Sequence, residues 1–123
     1  MPTPSETVQA YGDAWNELDE AKRRALLERA WADDGTYTDP SADLHGREAL
    51  IPHIGAFQKD GMPGARIIPS SGVDEHHGRL RFTWRMEGAD GSTIIEGIDF
   101  GELAADGRLQ RIVGFFGPPP DVS

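Results

Sequence analysis

The sequence predicts an α+β fold in which three N-terminal helices pack on one face of a curved antiparallel β-sheet. Two observations carry this. Up to about residue 58 the apolar residues recur at helical spacing, broken only by one short β-prone run. From Ala65 to Phe116 the chain breaks into short alternating runs separated by Gly- and Asp-containing turns. Helices first and hairpin-linked strands afterwards is the order of an α+β domain, with the helices gathered on one side.

Each element follows from local chemistry. Ser5 is the expected N-cap of the first helix, whose apolar face is Val8, Tyr11, Trp15 and Leu18. Asp19 is placed to cap a second helix over Glu20 to about Ala32, rich in Ala, Leu, Glu and Arg, with Ala25, Leu26, Arg29, Ala30 and Trp31 on its inner side. Asp33-Asp34-Gly35 reads as its end. Thr36-Tyr37-Thr38 is a short strand, closed by Asp39-Pro40, since the residue before a proline is pushed out of the helical region. Gly46 precedes a third helix over Arg47 to Gln58, with Leu50, Ile54 and Phe57 at helical spacing and Pro52 tolerable only near its start. Strands are expected at Ala65 to Pro69, Gly72 to Glu75, Arg79 to Glu87, Thr93 to Leu103 and Leu109 to Phe116, with turns at His77-Gly78, Ala89-Asp90-Gly91 and Ala105-Asp106-Gly107. Leu80, Phe82, Trp84 and Met86 alternate with Arg79, Arg81, Thr83, Arg85 and Glu87, giving that strand one apolar and one charged face. Pro118-Pro119-Pro120 ends the sheet and residues 118–123 form a tail.

The 123 residues fit one domain, 1–123, with one core. No run approaches the roughly 18 apolar residues of a membrane helix, and the amino terminus lacks the pattern of a secretory signal, so a cytoplasmic location is expected. With no cysteine there is neither a disulfide framework nor a thiolate nucleophile or metal ligand. Twelve basic against twenty-one acidic residues give a net charge of −9, whose field repels phosphate and argues against nucleic acid or an anionic membrane as partner. His76 and His77, read as adjacent strand-end residues pointing apart, are assigned to a turn; neither a metal nor a cofactor is expected.

Tyr11 and Trp15 on an early helix, Asp33-Asp34-Gly35-Thr36-Tyr37-Thr38-Asp39-Pro40, Gly46-Arg47-Glu48-Ala49-Leu50, Ile98-Asp99-Phe100 and Asp106-Gly107-Arg108-Leu109 together resemble the nuclear-transport-factor-2-like superfamily. Within it the chain is most similar to the SnoaL-like group of small bacterial proteins, which includes polyketide cyclases. The resemblance implies a cone of helices around the curved sheet, a pocket inside the cone and a homodimer through the sheet's outer face. A comparison with ketosteroid isomerase places Tyr11 at the position of its oxyanion-binding tyrosine, Asp39 at that of its base and Asp99 at that of its proton-donating aspartic acid. Phe82, Trp84 and Phe116 fall on pocket-lining positions. Ile54 stands where the isomerase has a supporting tyrosine, with His53 beside it, so a steroid substrate does not follow.

Each candidate also has a plain structural reading. Asp99 shares a strand face with Ile95, Gly97 and Gly101 and enters the pocket only if that face points inward; there, desolvation would raise its pKa and let it donate a hydrogen bond. Asp39 followed by Pro40 is ordinary turn chemistry as well as a base at the pocket mouth. Tyr11 and Trp15 are core residues of a helix, although a buried phenol needs a partner, for which Asp99 is the obvious group. His53 is either a singly bonded histidine or an acid-base partner of one of the two aspartates. The mixed surface formed by Arg79, Arg81, Arg85, Glu96, Ile98, Phe100, Val113 and Phe115 points to a sheet-to-sheet homodimer.

Two functions from different classes follow. One is a cofactor-independent isomerase, cyclase or dehydratase acting next to the carbonyl of a small, largely apolar compound, with Asp39 as base, Tyr11 and protonated Asp99 holding the oxyanion, and His53 assisting. The other is a non-catalytic ligand-binding or structural dimer, its pocket filled by Trp15, Phe57, Trp84 and Phe116.

Overall fold

A computed structural model describes residues 1–123. Three helices, α1 (Pro4–Asn16), α2 (Glu20–Ala30) and α3 (Arg47–Ala56), pack on an open, curved sheet of β1 (Trp31–Asp39), β2 (Ala42–His45), β3 (Arg66–Pro69), β4 (Asp74–His76), β5 (Arg79–Glu87), β6 (Thr93–Leu103) and β7 (Leu109–Phe116). The strand order is β2-β1-β7-β6-β5-β3, with β4 also on β5. No helix is long and apolar enough to cross a membrane.

The sheet is mixed where an antiparallel one was expected, because β1 runs parallel to β7. The expectation failed because β1 is reached from the helices and not through a hairpin, so no local turn dictates its direction. Its register with β7 also slips between Trp31 and Thr36, which places Asp33-Asp34-Gly35 inside a bulged strand instead of at a helix end. Helix α2 accordingly stops at Ala30 and Trp31 is already extended. Strand β2, which pairs antiparallel with β1, was not expected, its alternation of Ala42 and Leu44 with Asp43 and His45 being only four residues long.

The helix starts and faces need smaller corrections. Thr3, not Ser5, caps α1, because Glu6 lies at the third helical position and completes a reciprocal capping box with it. Leu18 lies beyond the helix and is 77% exposed. On α2 the buried positions are Arg23, Leu27 and Ala30, not Ala25, Leu26 and Arg29. Arg23 is only 3% exposed and has no carboxylate partner; its guanidinium donates to the carbonyls of Glu17 (3.1 Å) and Leu18 (3.3 Å) and to Gln58 Oε1 (2.6 Å). It thereby satisfies orphan carbonyls just past the C-terminus of α1 and favourably meets that end of the helix dipole. Arg23→Met should cost about 3 kcal/mol by urea denaturation, since the charge-assisted bonds are lost and the Leu18 carbonyl and Gln58 Oε1 lose their donor, while the Glu17 carbonyl keeps the Gln58 amide.

Helix α3 is followed by a π-helical segment, Phe57–Gly61, where an α-helix to Gln58 was expected. The wider turn carries Phe57 against Trp15, with ring centroids 5.5 Å apart. Asn16 clamps α1 to β3 by accepting from the Ile67 N–H and donating to the Ile67 carbonyl, both at 2.8 Å. Helix α1, the π-helical segment and the sheet thus become walls of one space.

Candidate active site

Register decides which side chains enter that space. Leu80, Phe82 and Trp84 of β5 are buried and stand opposite Gly101, Asp99 and Gly97 of β6, so these three also face inward. On the next strand Ile112, Gly114 and Phe116 stand opposite the same three and share that face. On β1, Tyr37 pairs with Ile112, and Asp39, two residues on, shares its side. The inner face therefore carries both aspartates.

All nine residues singled out in the sequence, Tyr11, Trp15, Asp39, His53, Phe57, Phe82, Trp84, Asp99 and Phe116, line one cavity of about 740 Å³. That volume lies within the range of ligand sites and exceeds what tryptophan-filled packing would leave. The third tryptophan, Trp31, is packed behind Tyr11 with stacked rings 5.4 Å apart and stays out of the cavity.

Asp99 is 6% exposed, and one of its oxygens, Oδ1, accepts from the Trp84 indole N–H at 3.0 Å. Two glycines make this contact possible. A Cβ at Gly97 would lie 2.2 Å from the Trp84 ring and one at Gly114 2.8 Å from Asp99 Oδ1; one at Gly101, on the same face, would instead meet the Arg111 carbonyl and Ile112 at 2.9 Å. Without side chains at the first two sites the indole lies flat on the sheet and its N–H reaches the carboxyl. Burial pushes Asp99 up to about 6, against the pull of the Trp84 bond and with a further push from the Asp39 charge.

Asp39 has a different environment. Its Oδ1 accepts from the Ser41 N–H (2.7 Å) and the Ser41 hydroxyl (2.8 Å), and its Oδ2 accepts from the Tyr37 hydroxyl. The turn role anticipated for Asp39 is therefore present, and the residue also lines the cavity. Tyr37 and Ser41 were missed in the sequence, although Tyr37 and Asp39 at i and i+2 of a strand must share a face, which was the available signal.

Tyr11 does not hydrogen-bond Asp99, contrary to expectation; the two reach the cavity from the helix and sheet sides. Burial pushes the Tyr11 phenol well up, the Asp99 charge adds to this, and Trp15 partly offsets it. Burial likewise raises Tyr37, so both phenols are protonated donors throughout the neutral range. His53 is half-buried and packs by its ring, 6.0 Å from Trp15 and 5.8 Å from Tyr37; it bonds neither aspartate. His76 and His77 do approach one another, Nδ1 to Nδ1 at 3.1 Å, because His77 sits in a left-handed turn (φ 52°) and not on a strand.

A family model, the SnoaL-like domain, matches residues 8–112. The chain belongs to the SnoaL-like family. This SnoaL-like chain is 33% identical to a candidate isomerase of the same family from Agrobacterium tumefaciens, with a TM-score of 0.87 over 95% of this chain and all of the other. A candidate SnoaL-like polyketide cyclase from Jannaschia is 14% identical (TM-score 0.68; 94% of this chain, 90% of that one). A nuclear-transport-factor-2-like protein from Exiguobacterium is 20% identical (TM-score 0.73; 92% and 99%). These two establish likeness of fold alone. No curated protein sequence matches the chain. The SnoaL-like assignment agrees with the open curved sheet and the position of the cavity between it and α1.

Proposed function

We propose that the protein is a cofactor-independent acid-base enzyme that moves a proton next to the carbonyl of a small organic compound, as an isomerase or cyclase would. The observation that carries this reading is Asp99, a carboxyl buried in a roomy cavity with one oxygen anchored to Trp84 and the other unbonded. A carboxylate tuned to about 6 is half-protonated one pH unit below neutrality, which suits both taking and returning a proton. The geometry favours Asp99 over Asp39 as the proton carrier, because both oxygens of Asp39 are already engaged by Tyr37 and Ser41 whereas one oxygen of Asp99 has no hydrogen-bond partner.

In this mechanism Asp99 Oδ2 removes the proton α to the carbonyl, and the electron pair moves onto the carbonyl oxygen as the enolate forms. The Tyr11 hydroxyl, held protonated, donates to that oxygen. Asp99 then returns the proton at a conjugated carbon, which completes an isomerisation, whereas return at the same carbon gives exchange with solvent alone. Asp39, anchored by Tyr37 and Ser41, raises the affinity of Asp99 for the proton. Trp15, Phe57 and Phe116 supply the apolar walls that hold the substrate's body, and His53 packs among them.

The test is deuterium incorporation at the α-carbon of 2-tetralone in D2O, followed by NMR. The protein should accelerate exchange above buffer, and Tyr11→Phe should lower the rate about 10- to 100-fold. Exchange at the buffer rate would overturn the catalytic reading.

We also propose that the chain pairs through the outer sheet face. Ile94, Phe100 and Phe115 are 45%, 43% and 54% exposed there, and the Phe100 and Phe115 rings meet at 6.2 Å. Light scattering at micromolar concentration should give a dimer mass, and Phe100→Glu with Phe115→Glu a monomer mass. A monomeric parent would remove this interface.

A further inference from the structure

The carboxylates lining the cavity, those of Asp13, Asp39, Asp60 and Asp99, have no lysine or arginine among them, and His53 is the one basic side chain there. None of the four takes part in any of the protein's ion pairs, which lie elsewhere and involve Asp33, Glu48, Asp74, Glu87 and Asp106. This is more than a surface of acids: Asp99 is only 6% exposed, lines the cavity, carries no cationic partner and has a hydrogen bond at only one of its two oxygens. A buried carboxylate normally has a countercharge, because desolvation without compensation is costly. Burial and the Asp39 charge acting together on Asp99 record that missing compensation. The other walls are aromatic, with Trp15, Tyr37, Phe57, Trp84 and Phe116 presenting rings to the same space. Ring faces attract cations and, like the carboxylates, disfavour anions.

We propose that the cavity selects a substrate bearing a protonated amine on an apolar or aromatic body, and rejects carboxylates of the same shape. The ammonium supplies the countercharge that Asp99 and Asp39 lack, and the rings enclose the body. No three His, Asp or Glu side chains converge as the ligand set of a metal would, which favours an organic cation. The negative field of the whole chain, −9, acts in the same direction by drawing cations toward the mouth, where Asp13 and Asp60 are exposed. This inference rests on the proposal that the cavity is the substrate site, and it names the class of compound that enters.

The test is calorimetric titration at pH 7.5 with three probes of one shape: 2-naphthylmethylamine, 2-naphthylmethanol and 2-naphthoate. The amine should bind at least 10-fold more tightly than the alcohol, and 2-naphthoate at least 10-fold more weakly. Asp99→Asn should bring the amine to within about threefold of the alcohol. Asp39→Asn, an independent variant, should reduce the amine's advantage at least threefold. Naphthoate binding as well as the alcohol, an amine with no advantage over it, or no binding of any probe would overturn the inference. Its failure is separable from that of the catalytic reading: charge selectivity without 2-tetralone exchange removes the chemistry and keeps the ligand class, and exchange without charge selectivity does the reverse.

Discussion

Asp99→Asn should lower the 2-tetralone exchange rate by about 10²- to 10⁴-fold, the usual range for loss of a general base, while making the protein more stable at neutral pH. The two effects have one origin. The folded carboxyl titrates at about 6 against an ordinary value of 3.8, so between these values the folded state holds more protons than the unfolded state. The associated stability is therefore fully present below about pH 4 and is lost as pH rises through 6. At about 1.4 kcal/mol per pH unit, the buried charge costs the native state about 3 kcal/mol at pH 7.5. Asparagine removes the charge, and its side-chain carbonyl still accepts from Trp84. Urea denaturation should thus show Asp99→Asn stabilised by up to about 3 kcal/mol at pH 7.5 and unchanged near pH 3.5. Equal stability of the two proteins at both pH values would mean that Asp99 is not held in a desolvating site.

Gly97→Ala should be the most damaging single methyl on the inner face. Its Cβ would sit 2.2, 2.5 and 2.6 Å from three atoms of the Trp84 ring, well inside van der Waals contact. The ring has little freedom to retreat, since it lies edge-on to Phe116 at 5.8 Å and its N–H is committed to Asp99. Overpacking of this kind costs about 1–3 kcal/mol. A lifted indole also withdraws a bond that favours the ionised carboxyl, so the pH midpoint for α-proton exchange should move upward from about 6. Trp84→Phe separates the effects: it removes the donor without the clash, and should raise the midpoint with a smaller loss of stability. An unchanged midpoint in both variants would show that the indole does not tune Asp99.

How far the chain could be read varies with how local the cause is. The face alternation of β5 and the shared face of Gly97, Asp99 and Gly101 were legible because strand geometry has a period of two, whatever the strand packs against. The cap at Asp19 was legible for the same kind of reason, its side chain bonding Lys22 N–H within a single turn. The burial of Arg23 on α2 was not legible from the apolar pattern, because the carbonyls that accept its hydrogen bonds belong to another segment. Residues at a bulge also escape periodicity, which is why Asp33-Asp34-Gly35 looked like the end of a helix.

The candidate site divides along the same line. From the amino acids alone came the helices, the alternating strands, the family resemblance and the set of nine residues that meet at one cavity, all resting on short-range periodicity or motif. Only the folded chain decided that β1 lies parallel to β7, that Tyr37 and Ser41 hold Asp39, and that Trp84 instead of Tyr11 bonds Asp99. The Trp84–Asp99 contact joins residues 15 apart in sequence, and Gly114 brings Asp39 near Asp99 from a third strand. Such neighbours are set by strand order and register. The protonation of a buried carboxyl depends on them, because its energy comes from whatever charge, dipole or solvent lies within a few ångströms.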